Sequence, residues 1–213
     1  MKIVFEEIEK YIDSHSSPEP ELLQKLRRKT HLEVLYPRML SGPYQGRLLS
    51  LISQLLRPQN VLEIGTFTGY SCICLAEGLA PGGKITSLEL IHEREDFIRY
   101  WLKKAEIEDQ VELIFGNAHD TIPNLSGPFD LIFLDANKSS YLEYYHMCFP
   151  LLKAGGVILA DNVLWDGKIL DESISDKETD GIRAFNEFVA QDDRVSKILL
   201  PIRDGLYLIR KNV

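Results

Sequence analysis

The run Val61-Leu62-Glu63-Ile64-Gly65-Thr66-Phe67-Thr68-Gly69-Tyr70-Ser71 passes from a short apolar strand, through a glycine-bearing turn, into a helix. Such a turn after a first strand sets backbone N–H groups beside whatever ligand binds there. Gly65 and Gly69 permit positive φ and close approach. Their Gly-x-x-x-Gly spacing differs from the Gly-x-Gly-x-x-Gly of pyrophosphate binders, and it suits a nucleoside bearing an amino-acid tail rather than two phosphates. Taken alone, the pair is a weak signal, since a purely structural tight turn also explains it.

Downstream, short apolar runs alternate with amphipathic ones. The pattern predicts strands over 61–64, 85–89, 111–115, 131–135 and 157–161, with helices over 70–79, 93–105 and 141–152 and a short one near 120–125. Pro81-Gly82-Gly83 and Ala154-Gly155-Gly156 read as turns. Steady alternation means a parallel sheet with helices on both faces. After a helix over about 180–190, strand-like runs at 195–202 and 206–210 are separated only by Arg203-Asp204-Gly205. That connection permits an antiparallel hairpin and excludes a crossover. The expected fold is α/β: a doubly wound, mostly parallel, seven-stranded sheet closed by a C-terminal antiparallel hairpin.

Upstream, residues 1–57 read as added helices. Ile3, Phe5, Ile8, Tyr11 and Ile12 fall at helical spacing, as do Leu22, Leu23, Leu26 and, after Thr30, Leu32 and Leu35. Ser17-Pro18-Glu19-Pro20 separates the two runs, and a third helix is expected from Pro43 to about Leu56, ended by Pro58. The whole chain is expected to be one domain, with 1–57 as a helical segment on a core of 58–213.

The bulk numbers agree. With 213 residues, 45 % hydrophobic and 26 % charged, the chain can bury a substantial core. A formal charge of −8 argues against nucleic acid as a partner. No apolar stretch is long enough to span a membrane, and the early acids Glu6, Glu7 and Glu9 break any secretory apolar region. Cys72, Cys74 and Cys148 form an odd set without zinc-like spacing, read as reduced core residues of a cytoplasmic protein.

Three further groups carry chemistry. Glu89 closes the second strand twenty residues after Gly69, where a carboxylate can accept from both hydroxyls of a ribose; a solvent-facing acid is the plain alternative. Phe129-Asp130-Leu131-Ile132-Phe133-Leu134-Asp135-Ala136-Asn137-Lys138 and Gly156-Val157-Ile158-Leu159-Ala160-Asp161-Asn162 are apolar strands that both end in oxygen donors. Ligands bind at such carboxyl ends, and two carboxylates with an amide oxygen suit a hard cation. Isolated strand-end aspartates are usually caps, but three donors at neighbouring ends are harder to read that way.

With these motifs the chain, from about Pro37 onward, resembles the metal-dependent small O-methyltransferases, the group of the catechol and caffeoyl-coenzyme A O-methyltransferases. Glu63–Ser71 looks like that family's methyl-donor loop, Asp135-x-x-Lys138 and Asp161-Asn162 like its metal and catalytic signatures, and Met39-Leu40-Ser41-Gly42 like the segment folding over the donor. The resemblance implies that Asp135, Asp161 and Asn162 hold a divalent cation, magnesium first, with calcium or manganese as alternatives. It implies Lys138 as general base and Glu89 on the ribose of S-adenosylmethionine. Ser41, Glu63, Gly65, Phe67, Ser71 and Ala118 would line the rest of the donor site, with His119 near the adenine, Asp135 near the amino-acid portion and Trp165 as an aromatic wall for the substrate. Asn137 stands where plant-type members carry an acid, which leaves the subgroup's substrates open.

The expected activity is methyl transfer to a small vicinal-dihydroxy phenolic acceptor, by a homodimer whose N-terminal helices serve as lid and association surface. A metal-independent methyltransferase of the same fold is the nearest rival. A nicotinamide-dependent dehydrogenase lacks its phosphate-cradling glycines here, and a non-catalytic binding protein has no need of Asp135, Lys138, Asp161 and Asn162 together.

Overall fold

The computed structural model describes residues 5–213, so Ile3 of the first helical run lies outside the described residues. Three helices come first: α1 (Phe5–Ser14), α2 (Glu21–Glu33) and α3 (Gly42–Leu56). Pro43 falls in the first turn of α3, where its missing N–H leaves no bond unmade. Then follow β1 (Asn60–Ile64), α4 (Tyr70–Ala76), β2 (Lys84–Glu89), α5 (Glu95–Lys104), β3 (Val111–Phe115) and α6 (Ala118–Thr121). The chain continues through β4 (Phe129–Leu134), α7 (Tyr141–Leu151), β5 (Leu152–Asp161), α8 (Lys177–Gln191), β6 (Val195–Leu200) and β7 (Leu206–Lys211).

The seven strands form one sheet in the order β3-β2-β1-β4-β5-β7-β6. The first five pair in parallel, while β7 runs antiparallel between β5 and β6. This is the expected doubly wound sheet with a terminal hairpin. Strand side chains alternate between the two faces. Leu62, Ile64, Ile132, Leu134, Ile158 and Ala160 enter one core, and Val61, Leu131, Phe133, Val157 and Leu159 the other. Both faces are covered, which is why these strands read as continuous apolar runs. Leu23, Leu26 and Leu49 of the N-terminal helices are buried in the second core. Cys72, Cys74 and Cys148 are free and buried. Among the described residues no helix is long and apolar enough to cross a membrane.

Several boundaries differ from the expected ones, each for a local reason. Helix α4 stops at Ala76, where the Ser53 hydroxyl of α3 donates to the Leu75 carbonyl at 2.6 Å. Helix α6 starts at Ala118 because the Asn117 side chain caps it through the His119 N–H. Strand β5 begins at Leu152, since Ala154-Gly155-Gly156 is taken up as a register shift against β4 and not as a separating turn. Helix α8 begins at Lys177, capped by the Asp176 carboxylate, which accepts from Thr179 N–H at 2.8 Å. Strand β6 ends at Leu200, before Pro201, which has no N–H for the ladder.

Two glycines set the distances around the strand ends. At Gly65, with φ +103°, an added Cβ would lie 1.9 Å from the Asp135 carbonyl oxygen, so the β1 turn and the end of β4 touch backbone to backbone. At Gly181 an added Cβ would lie 2.6 Å from Ser139 Cα, so α8 sits directly on the turn that carries Lys138. Gly65→Ala is expected to cost roughly 2–4 kcal/mol through strain and overlap. A urea melt checks this, and an unchanged midpoint would contradict the close packing described.

A candidate active site at the strand ends

Asp135 follows β4 directly, its N–H held by the Ile64 carbonyl of β1 at 2.9 Å. The Asn137 side chain then caps the short 3-10 turn Lys138–Ser140 by accepting from Ser139 N–H. This tight reversal sends Lys138 back over the strand end. Its Nζ lies 2.7 Å from Asp135 Oδ1 and 2.6 Å from the Tyr141 hydroxyl, and the residue is only 8 % exposed. Tyr141 is fully buried, with its O–H facing the carbonyls of Asp161 at 2.9 Å and Leu134 at 3.2 Å. Burial, then the charges of Asp135 and Asp161, raises its pKa well above the ordinary value, so it stays a donor.

Asp161, the last residue of β5, is 2 % exposed. Its Oδ1 accepts the N–H of Asn162 at 2.8 Å, and Asn162 turns the chain with φ +59°, a conformation asparagine tolerates. Burial pushes the Asp161 carboxyl up to about 6, with the negative Asp135 adding to the rise, while Lys138, Gln45 and Arg203 oppose it. Two carboxylates are thus brought close in a poorly solvated place with incomplete counter-charge. Among the described residues no three His, Cys, Asp or Glu side chains gather as metal ligands. A cation here would therefore rest on Asp135, Asp161 and the Asn162 amide, an all-oxygen set suited to a hard divalent ion. A divalent charge would offset both the burial and the Asp135 repulsion that raise Asp161, so the residues fit the group.

The glycine turn lies beside this cluster. Glu63 is fully buried, accepting the Ser71 hydroxyl at 2.6 Å on Oε1 and the Ser87 hydroxyl at 2.5 Å on Oε2. Glu89, also buried, accepts Phe67 N–H at 2.7 Å on Oε2, and Ile91 N–H and Arg94 Nη1, both at 2.9 Å, on Oε1. Oε2 therefore keeps an acceptor position. Phe67 holds φ +53°, with the Arg94 guanidinium 4.7 Å above its ring. Ser41 is buried just ahead of α3.

The remaining candidates stand at the edges. The half-buried Ala118 packs against the first core beside His119, whose Nε2 lies 2.7 Å from Glu143 Oε2 and whose ring tilts on Tyr144 at 4.7 Å. Trp165 is half-buried, with its indole N–H sequestered and unpartnered among the described residues. Its loop is latched to the β6–β7 turn by Leu164 N–H to the Asp204 carbonyl at 2.8 Å and by Asp166 N–H to Asp204 Oδ1 at 2.6 Å.

Sequence reading passed over Tyr141, Ser87, Arg94, Gln45 and Arg203. Tyr141 lies three residues past Lys138, as Lys138 does past Asp135, and that spacing was the available signal. Ser87 alternates inward from Glu89 on β2, whereas Gln45 and Arg203 meet only through the tertiary fold.

A doubly wound sheet ending in an antiparallel hairpin, with a glycine turn after β1 and acids after β4 and β5, defines the class I methyltransferase architecture. A family model described as O-methyltransferase matches residues 13–212, and the chain belongs to that family. It is 34 % identical over 201 residues to a catechol O-methyltransferase of Niastella koreensis, covering 92 % of this chain and 90 % of that protein. It is 32 % identical over 219 residues to a caffeoyl-CoA O-methyltransferase of Stellaria longipes, covering 97 % and 90 %. The crystal structure of an O-methyltransferase from Bacillus cereus in complex with SAH superposes with a TM-score of 0.90 at 32 % identity, covering 97 % of each chain.

Burial raises the Glu63 carboxyl from its ordinary 4.5 to about 7, against the two serine hydroxyls. Between those values the folded protein keeps a proton that the unfolded chain has lost, so this group makes stability fall as pH rises from about 4.5 to 7. Glu63→Gln should flatten that part of the profile in melts at pH 5 and pH 8. Parallel profiles for the two proteins would refute the buried neutral acid.

Proposed function

We propose that this chain transfers a methyl group from S-adenosylmethionine to one hydroxyl of a small vicinal-dihydroxy phenol, catechol-like or hydroxycinnamoyl, with a divalent cation held by Asp135, Asp161 and Asn162. The observation that carries the reading is the buried knot in which Lys138 Nζ reaches both Asp135 and Tyr141 while Tyr141 reaches the Asp161 backbone. Membership of the O-methyltransferase family and the SAH held by the Bacillus cereus relative support the donor.

In its neutral form Lys138 has two N–H groups and a lone pair. Asp135 and Tyr141 take the two N–H groups, and the lone pair is left to accept the proton of the acceptor hydroxyl. The oxygen then attacks the methyl carbon as the carbon–sulfur bond breaks and its electron pair returns to sulfur. A bound divalent cation favours the ionised hydroxyl and orients two adjacent oxygens. The protein's own part is alignment. Glu89 would hold the donor ribose through its spare acceptor position. Glu63, set behind the turn, would fix Ser71, with Gly65, Phe67, Ser41, Ala118 and His119 bounding the donor and Trp165 the acceptor.

The whole chain would act as one domain, with residues 1–57 as lid and association segment. Leu35 and Tyr36, 78 % and 74 % exposed, offer apolar surface for a homodimer. Free, buried cysteines accord with a cytoplasmic setting.

Donor consumption over a catechol and hydroxycinnamoyl panel, with Mg²⁺ and after chelation, tests the reading. Turnover should require the cation; turnover that survives thorough chelation favours a metal-independent reaction, and none with any acceptor removes the enzymatic reading. Lys138→Ala should lower turnover about 10²- to 10⁴-fold while donor affinity stays within about twofold.

A further inference from the structure

After Asn162 the chain leaves the end of β5 and runs without a strand or an α-helix until α8 begins at Lys177. One side chain holds most of that segment. Arg183, half-buried on α8, engages all five of its guanidinium N–H groups. Nε donates to the Ile169 carbonyl at 3.2 Å, and Nη1 to the Ile174 carbonyl at 2.7 Å and to Asp180 Oδ1 at 3.1 Å. Nη2 donates to the carbonyls of Lys168 at 2.9 Å and Asp171 at 2.5 Å. The near end of the segment is held separately: Asn186 Nδ2 donates to the Val163 carbonyl at 2.7 Å, and Asp204 accepts the N–H groups of Leu164 and Asp166. Trp165 and Asp166 stand at φ +49° and +52°, conformations that non-glycine residues keep only where the surroundings impose them.

The same helix touches the opposite side of the site. Gly181, two residues before Arg183, lies so close to the Lys138 turn that an added Cβ would be 2.7 Å from the Lys138 carbonyl oxygen. Helix α8 therefore fixes the segment that follows Trp165 and the turn that carries Lys138 relative to each other. We propose that Arg183 is a positioning residue for the acceptor: by gripping residues 168–174 it holds Trp165 against the acceptor ring at the distance from Lys138 that transfer requires. The inference rests on the reading of Trp165 as the acceptor wall and Lys138 as the base. Lysine is no substitute at this position, since three donors on one nitrogen cannot span four separate carbonyls.

Steady-state kinetics of the full chain with a catechol, together with SAH affinity, test this. Arg183→Met should raise the acceptor KM about 10- to 100-fold, with kcat falling less than KM rises and SAH affinity staying within about twofold. Arg183→Lys should recover only part of the loss. Asp204→Ala, which releases the same segment at its other end, should shift the acceptor KM in the same direction. In a Trp101→Phe background, where Trp165 is the tryptophan that remains in the sequence, Arg183→Met should make the emission easier to quench with acrylamide. If Arg183→Met fails to fold, Arg183→Lys and Asp204→Ala carry the comparison. An acceptor KM within twofold of the unmodified protein in every folded variant, measured below its melting temperature, would reduce Arg183 to a structural brace and overturn the proposal. If the unmodified protein methylates no catechol or hydroxycinnamoyl acceptor, the acceptor reading itself fails and this inference falls with it.

Discussion

A single buried phenol joins the ends of β4 and β5. The Tyr141 hydroxyl faces the carbonyls of Leu134 and Asp161, the last residues of the two strands, and accepts from Lys138. Because burial keeps that hydroxyl protonated, it cannot exchange its donor role for a charge. The bond to Lys138 and the strand-end carbonyls are thereby locked together. Displacing any one of them leaves a polar group without a partner in a place water does not reach, which costs more than the bond itself contributes.

The rest of the site leans on that lock. Lys138 and Asp135 can share a nearly dry pocket because each has the other as counter-charge. Burial, and then the charge of Asp135, raises the Asp161 carboxyl against the opposing charges of Lys138 and Arg203. The close approach of the β1 turn at Gly65 puts the donor-side loop against the Asp135 backbone. Movement of one strand end is then felt by the other. The hydrogen bond from Phe67 N–H to Glu89 extends the same coupling to β2.

Much of this was legible beforehand, for reasons that are local. Strands buried on both faces declare themselves as apolar runs, and the residues that stop them, Glu89, Asp135 and Asp161, are conspicuous by contrast. The short link that contains Arg203-Asp204-Gly205 leaves room only for a hairpin. What was not legible depends on distance in the chain. The bulge at Ala154–Gly156 resembles a turn until β4 is placed beside it. Gln45 and Arg203 are far apart in sequence and meet only once β7 lies between β5 and β6. The spacing of Tyr141 after Lys138 places it near the β4 end, but that its hydroxyl also meets the end of β5 depends on the strand order.

The central claim is that the two strand ends grip one divalent ion between them. Anomalous diffraction from crystals grown with Mn²⁺ tests it most directly. The account expects one strong peak within coordination distance of Asp135, Asp161 and the Asn162 side-chain oxygen. Full Mn²⁺ occupancy at some other place, with the Asp135–Lys138 contact unchanged and no peak beside Asp161, would contradict it.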